Sequence, residues 1–232
     1  MSPERRAGYE HIARTPLSRL LLEAAQMVQT CSVATGRDVG AFDERAAVYE
    51  SGWRGRLHHQ IADEVADLVV QLAADSERVL DVGCGTGYLL RDLAGELPAA
   101  RVLCGIDASP RMIEVARSVA GDARLSFAVG VAENLAYEDA SFDLLVSTTS
   151  FDHWRDQQRG LGECARVLRP RGHLVLADLF SRWLVPTLFA SRRKKARTRA
   201  RLAALLEEAG FTPPTWHALS MPLIAAAAAV KS

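Results

Sequence analysis

Residues 78–90 read RVLDVGCGTGYLL. An apolar run ends in Asp81, and glycine then falls at every second position, at Gly83, Gly85 and Gly87. Glycine loses more backbone freedom on folding than any other residue. Three within five residues therefore mark a backbone that turns sharply and lets something else come close. VLDVG has the length and composition of a short buried strand, and TGYLLRDLAGEL those of a helix. The glycines join the two.

The same alternation continues on the C-terminal side. RVLCGID reads as a second strand. SPRMIEVARSVA reads as a helix with Ser109 as N-cap and Pro110 at its first position. RLSFAVG and FDLLVST give a third and fourth strand, QQRGLGECARVL a helix, and GHLVLADL a fifth strand. Apolar strands alternating with helices imply a doubly wound, mostly parallel sheet covered on both faces. After a last helix, TRARLAALLEEAG, the segments FTPPTWHALS and LIAAAAAV have no helix between them, which implies a closing antiparallel hairpin and seven strands in all. On the N-terminal side, HQIADEVADLVVQLAAD places Ile61, Val65, Leu68, Val69 and Leu72 on one stripe of a helix. Further back, GRDVG reads as a break, and LSRLLLEAAQMVQ as a short amphipathic helix. Residues 1–40 are thus expected to form a helical arm, serving as substrate cover or dimer contact. Residues 41–232 form the main domain.

In a doubly wound sheet, ligands bind outside the carboxyl ends of the strands, where this glycine loop lies. A dinucleotide site would need GxGxxG, but the third glycine would fall at Tyr88. The spacing is GxGxG, with an acid two residues before it. That carboxylate would repel a pyrophosphate and suit an ammonium group, so the loop suits a nucleoside carrying a cation. A purely structural glycine turn is the competing reading. The second strand ends in Asp107, 20 residues after Gly87. An acid there can accept both hydroxyls of a ribose. Since Ser109 already serves as N-cap, Asp107 looks spare.

FDERAAVYE, VLDVGCGTGYL, GIDASPRMIEVAR, GVAENLAYEDASFDLLVSTTSFDHW and LRPRGHLVLAD occur in this order over residues 41–232. With these pieces the chain resembles the class I S-adenosylmethionine-dependent methyltransferases, especially the small-molecule type related to quinone biosynthesis. The resemblance implies a Rossmann-like fold, a lid-like insertion at about 179–198, S-adenosyl-L-methionine as cofactor and S-adenosyl-L-homocysteine as product. It implies that Asp81 steers the methionine amino group, and that Gly83, Cys84, Gly85 and Gly87 form the cofactor loop. Asp107 would hold the ribose, Ala108 and Met112 would flank the adenine, and Ala132 and Glu133 would border its edge. Ser147 and Thr148 would offer backbone groups to the methionine end, and Tyr49 would close over the cofactor. Two positions depart from the family pattern. Val131 stands where an acid often accepts from the adenine amine, and Arg171 stands where a second glycine is preferred, in a surface turn.

Methyl transfer from a sulfonium needs alignment first and a base only for a protonated acceptor. In SFDHWRD, Asp152 and His153 are the base candidates. The competing reading has Asp152 capping the next helix and His153 packing with Trp154. His58 and His59 begin a helix, and either could face the pocket, with a solvated pair the preferred reading; His11, His173 and His217 read as isolated structural residues. Residues 192–201 carry seven basic side chains and no acid, without the interleaved aromatics that would stack on bases. Nucleic acid is therefore not the expected partner; a small molecule is. An RNA methyltransferase using this stretch, and a non-catalytic cofactor-binding protein, remain the alternatives.

Formal net charge is zero over 232 residues, so no global field favours nucleic acid or anionic membrane. LIAAAAAV falls well short of the roughly 20 residues a bilayer span needs. The four cysteines are dispersed, with no metal-ligand spacing, and reduced thiols suit a cytoplasmic protein.

Overall fold

A computed structural model describes residues 36–46, 49, 52–180, 198–221 and 223–232. Most of the N-terminal arm, the body of the expected lid, residues 192–197 of the basic stretch, His11 and Cys31 lie outside the described residues. The elements are α1 (Gly36–Arg45), α2 (Gly52–Ala73), β1 (Arg78–Val82), α3 (Tyr88–Glu96), β2 (Val102–Asp107), α4 (Pro110–Ser118), β3 (Leu125–Val129), β4 (Phe142–Thr148), a 3-10 turn (Phe151–His153), α5 (Gln157–Val167), β5 (Leu168–Leu179), α6 (Arg199–Glu208), β6 (Thr215–Ala218) and β7 (Ile224–Val230).

The seven strands form one sheet in the order β3-β2-β1-β4-β5-β7-β6. β1 to β5 run parallel, and β7 lies antiparallel between β5 and β6. Strand order reverses between β1 and β2 on one side and β4 on the other, which opens a crevice above the carboxyl ends of those strands. The C-terminal hairpin and the alternating strands stand as the sequence implied. The α2 stripe is also as expected, with Ile61, Val65, Leu68 and Val69 buried.

β7 is the strand IAAAAAV, and its alternation serves both faces of the sheet. Ala225, Ala227 and Ala229 join the core with Leu161, Cys164, Leu202 and Leu206 of α5 and α6. Ala226 and Ala228 join the opposite core with Val65, Leu68 and Val69 of α2.

Three local readings are corrected. GRDVG does not break the chain but begins α1; its two glycines and Asp38 are poor helix formers, and contacts from Phe42 and Asp43 to the rest of the fold outweigh that. β5 starts at Leu168, earlier than GHLVLADL, because RPRG continues the strand through a register irregularity between Phe142 and Leu144. Arg171 therefore sits within this irregular strand, with φ +64° and its N–H donating to Lys231 O. Glycine would hold that left-handed backbone without the Cβ penalty.

Candidate functional site

The glycine loop is tied to β2. The N–H groups of Gly83 and Cys84 both donate to Ile106 O, at 2.8 and 2.9 Å. Gly83 has φ +82°, and a Cβ there would collide with Ser150. Gly87 has φ +78° and is the N-cap of α3; a Cβ there would stand 2.6 Å from the Phe127 ring of β3. Gly85 differs from both. Its φ is +53°, and a Cβ would meet nothing within 4 Å, because the space above it is cavity.

Two cavities meet over this loop. The larger, of about 320 Å³, is lined by Asp107, Ala108, Met112, Val131, Ala132 and Glu133 on one side, and by Val39, Phe42, His153 and Trp154 on another. The smaller, of about 60 Å³, is lined by Asp81, Cys84, His58, His59 and Tyr88. Tyr49, Gly83, Gly85, Thr148 and Thr149 line both and so form the neck between them.

Asp107 is not spare. Its Oδ2 accepts from Gly85 N at 2.9 Å and its Oδ1 from Ser109 N at 2.8 Å, so it fixes the loop and the start of α4 while lining the large cavity. Burial raises its pKa, opposed by those two N–H groups. Ser109 caps α4 as expected, accepting from Met112 N. It also donates to Asp43 Oδ1 of α1, which in addition accepts from Arg111 N. Phe42 of the same helix packs edge-on against His153, with ring centroids 5.1 Å apart. α1 thus lies along the large cavity as part of its wall.

Asp81 lies almost wholly buried at the floor of the small cavity. Its Oδ1 and Thr148 Oγ1 are buried polar atoms with no hydrogen-bond partner among the described residues. Such orphans are costly, and here both face one cleft. Burial, reinforced by the Asp107 charge, pushes the Asp81 carboxyl up to about 8.

Three other candidates, Ser147, Gly87 and Asp152, fall outside the cavities. Ser147 is fully buried and lines neither; its Oγ donates to Val82 O at 2.9 Å. Gly87 lines neither and serves helix packing. Asp152 lines neither, and its N–H donates to the buried Asp178 carboxylate at 3.1 Å. The cap of α5 is Asp156, which accepts from Arg159 N, so Asp152 does not cap that helix. Glu133 borders the large cavity and accepts from Asp156 N.

The two histidines of α2 are not a solvated pair. His58 stacks on Tyr49 with ring centroids 5.0 Å apart, and His59 stacks on Tyr88 at 3.8 Å. The one sequence signal for this is their place a helical turn before the Ile61–Val65 stripe. His217 is also partnered, with its Nε2 3.2 Å from Thr215 Oγ1. Among the described residues no cluster of three metal-ligating side chains occurs, and no helix is long and apolar enough to cross a membrane.

The family described as the methyltransferase domain matches residues 80–176, which run from β1 into β5 and include the glycine loop, Asp81 and Asp107. This match supports a class I S-adenosylmethionine-dependent methyltransferase. Among curated relatives, it is 35% identical over 130 residues to a demethylmenaquinone methyltransferase of Thermotoga maritima, covering 56% of this chain and 51% of that one. It is 34% identical over 146 residues to a malonyl-[acyl-carrier protein] O-methyltransferase of Hahella chejuensis, covering 62% and 50%. The chain thus spans about half the length of these relatives. A SAM-dependent methyltransferase from Aquifex aeolicus has the same fold, with a TM-score of 0.65 over 82% of this chain and 98% of that one, at 16% identity.

The residues present fit the family's cofactor. The orphaned Asp81 Oδ1 offers an acceptor for an ammonium, Gly85 leaves the neck open, and Asp107 stands at the cavity where a ribose would need an acid.

Proposed function

We propose that this chain binds S-adenosylmethionine across the two cavities and transfers its methyl group to a small-molecule acceptor by in-line displacement, leaving S-adenosylhomocysteine. The observation that carries this reading is the pair of orphaned buried atoms, Asp81 Oδ1 in the small cavity and Thr148 Oγ1 at the neck, with Asp107 beyond the neck in the large cavity. When bound, the cofactor supplies a methyl group already activated on a sulfonium. The protein's share is then placement and exclusion of water. Asp81 holds the ammonium, Asp107 the ribose hydroxyls, Met112 and Ala108 flank the base, and Ala132 borders its edge. Val131 offers no acid to the adenine amine, so that edge is left to Glu133 or a backbone carbonyl.

Val39, Phe42 and Trp154 give the large cavity an apolar wall, which supports an acceptor with an apolar body. The relatives named for a demethylmenaquinone and for a malonyl group on its carrier protein point to small or tethered acceptors. His153 packs on Phe42 and serves as part of this wall. The protein is expected to work in the cytoplasm.

Titration calorimetry with S-adenosylmethionine tests the reading. Asp107→Ala should weaken binding by roughly 10–100-fold, the loss expected for hydrogen bonds to a charged acceptor, with circular dichroism unchanged. Asp107→Asn keeps one acceptor oxygen and should lose less. Unaltered affinity in the folded Ala variant would remove the ribose assignment.

A further inference from the structure

We propose that His58 sets the preference of this site for the cationic sulfonium of S-adenosylmethionine over the neutral thioether of S-adenosylhomocysteine, by orienting the hydroxyls of Tyr49 and Thr149 at the neck. The proposal rests on the cofactor reading above and adds a specificity-determining residue to it.

Three observations meet at this histidine. Its Nε2 lies 3.4 Å from Tyr49 Oη and its Nδ1 3.3 Å from Thr149 Oγ1. One ring therefore holds a hydroxyl from each side of the neck. Tyr49 and Thr149 both line the two cavities, so their hydroxyls flank the passage where the sulfur must sit, between an adenosine end and an amino-acid end. Thr149 is held at φ +53°, an uncommon conformation for a β-branched residue, with its N–H donating to Ala177 O at 2.8 Å. Backbone strain of this kind persists where the surroundings over-determine a functional position.

The mechanism follows from hydrogen-bond inventory. A neutral imidazole has one N–H donor and one acceptor nitrogen; a protonated one has two donors. With His58 neutral, one of the two hydroxyls can donate to the ring and keep its oxygen lone pairs for the neck, which favours a cation. With His58 protonated, both ring nitrogens donate and both hydroxyls accept from them. The imidazolium adds its own charge behind them. Each effect disfavours a sulfonium and leaves a thioether nearly untouched.

Other titratable groups share the small cavity: Asp81 from the end of β1, His59 from α2 and Tyr88 from α3, the last donating to Asp63 Oδ1 at 3.0 Å. The two ligands carry the same amino-acid and adenosine parts, so the effect of Asp81 on the shared ammonium cancels in their ratio. His59 stacks on Tyr88, and His59→Gln serves as the control for it.

The experiment is calorimetric titration of the full chain with S-adenosylmethionine and, separately, S-adenosylhomocysteine between pH 5.5 and 7.0. Imidazole ordinarily titrates across this range, while an α-amino group stays charged. The affinity ratio of the sulfonium to the thioether should fall on acidification by on the order of tenfold. In His58→Gln, which keeps a hydrogen-bonding side chain that does not titrate, the ratio should be flat with pH. It should stay pH-dependent in His59→Gln. A flat ratio in the unsubstituted protein, or an equal slope in His58→Gln, overturns the proposal. If the variant misfolds, the unsubstituted protein still decides: a falling ratio supports the proposal and a flat one overturns it. Absence of binding by both ligands at every pH would overturn the cofactor reading and this inference with it, an outcome distinct from binding without discrimination.

Discussion

Asp81 illustrates how burial and a neighbouring charge move the proton affinity of one side chain. Its carboxyl is pushed up to about 8 by burial and by the neighbouring Asp107 charge. The sign of the linkage follows. A folded-state pKa above the unfolded value near 4 means the native protein binds more protons between about pH 4 and 8, so this group's contribution to stability declines as pH rises through that window. A bound ammonium would favour the carboxylate and reverse the shift. Cofactor binding at pH 6.5 should therefore release close to one proton, and affinity should rise with pH toward 8. Calorimetry in buffers of different ionisation enthalpy measures the release. Asp81→Asn should abolish it and weaken binding. Proton release unchanged in that variant would assign the titration elsewhere.

At the level of elements, α1 is the piece whose role the sequence obscures. GRDVG reads as a break between an arm and the domain, yet the helix runs through it. Asp43 meets Ser109 and Arg111 at the start of α4, and Phe42 meets His153. A truncation beginning at residue 36 should therefore keep cofactor binding, whereas one beginning at residue 46 should lose much of it, because it removes the Asp43 and Phe42 contacts along the cavity. Affinity of the two truncated chains for S-adenosylhomocysteine decides this. Equal affinity would mean that α1 contributes nothing to the cofactor cavity.

Across the entire fold, the two cores are joined by β7. Its alanines pack in the core with α5 and α6 on one side and in the core with α2 on the other. Ala227, 1% exposed, has no room for a longer side chain. Ala227→Leu should destabilise the fold by about 1–3 kcal/mol, the usual cost of forcing methylenes into a packed core. Urea denaturation measures it. A midpoint unchanged from the parent would show that α6 and the strand can part without loss.

The sheet, its closing hairpin, the glycine loop and the two acids at the strand ends are all legible in the chain before it folds. Those features are local: period, length, turn residues and an acid at a strand terminus are written in consecutive residues. Which polar groups face the cavities is set later, by packing. Ser147 and Thr148 are neighbours with the same chemistry, yet pleating sends one hydroxyl to Val82 O and leaves the other orphaned beside Asp81. His58 and His59 read as an exposed pair in the sequence, yet Tyr49 and Tyr88, from segments on either side of β1, stack on them. Such contacts join positions distant in sequence, so no local pattern carries them. They exist only once the sheet has fixed where each strand ends.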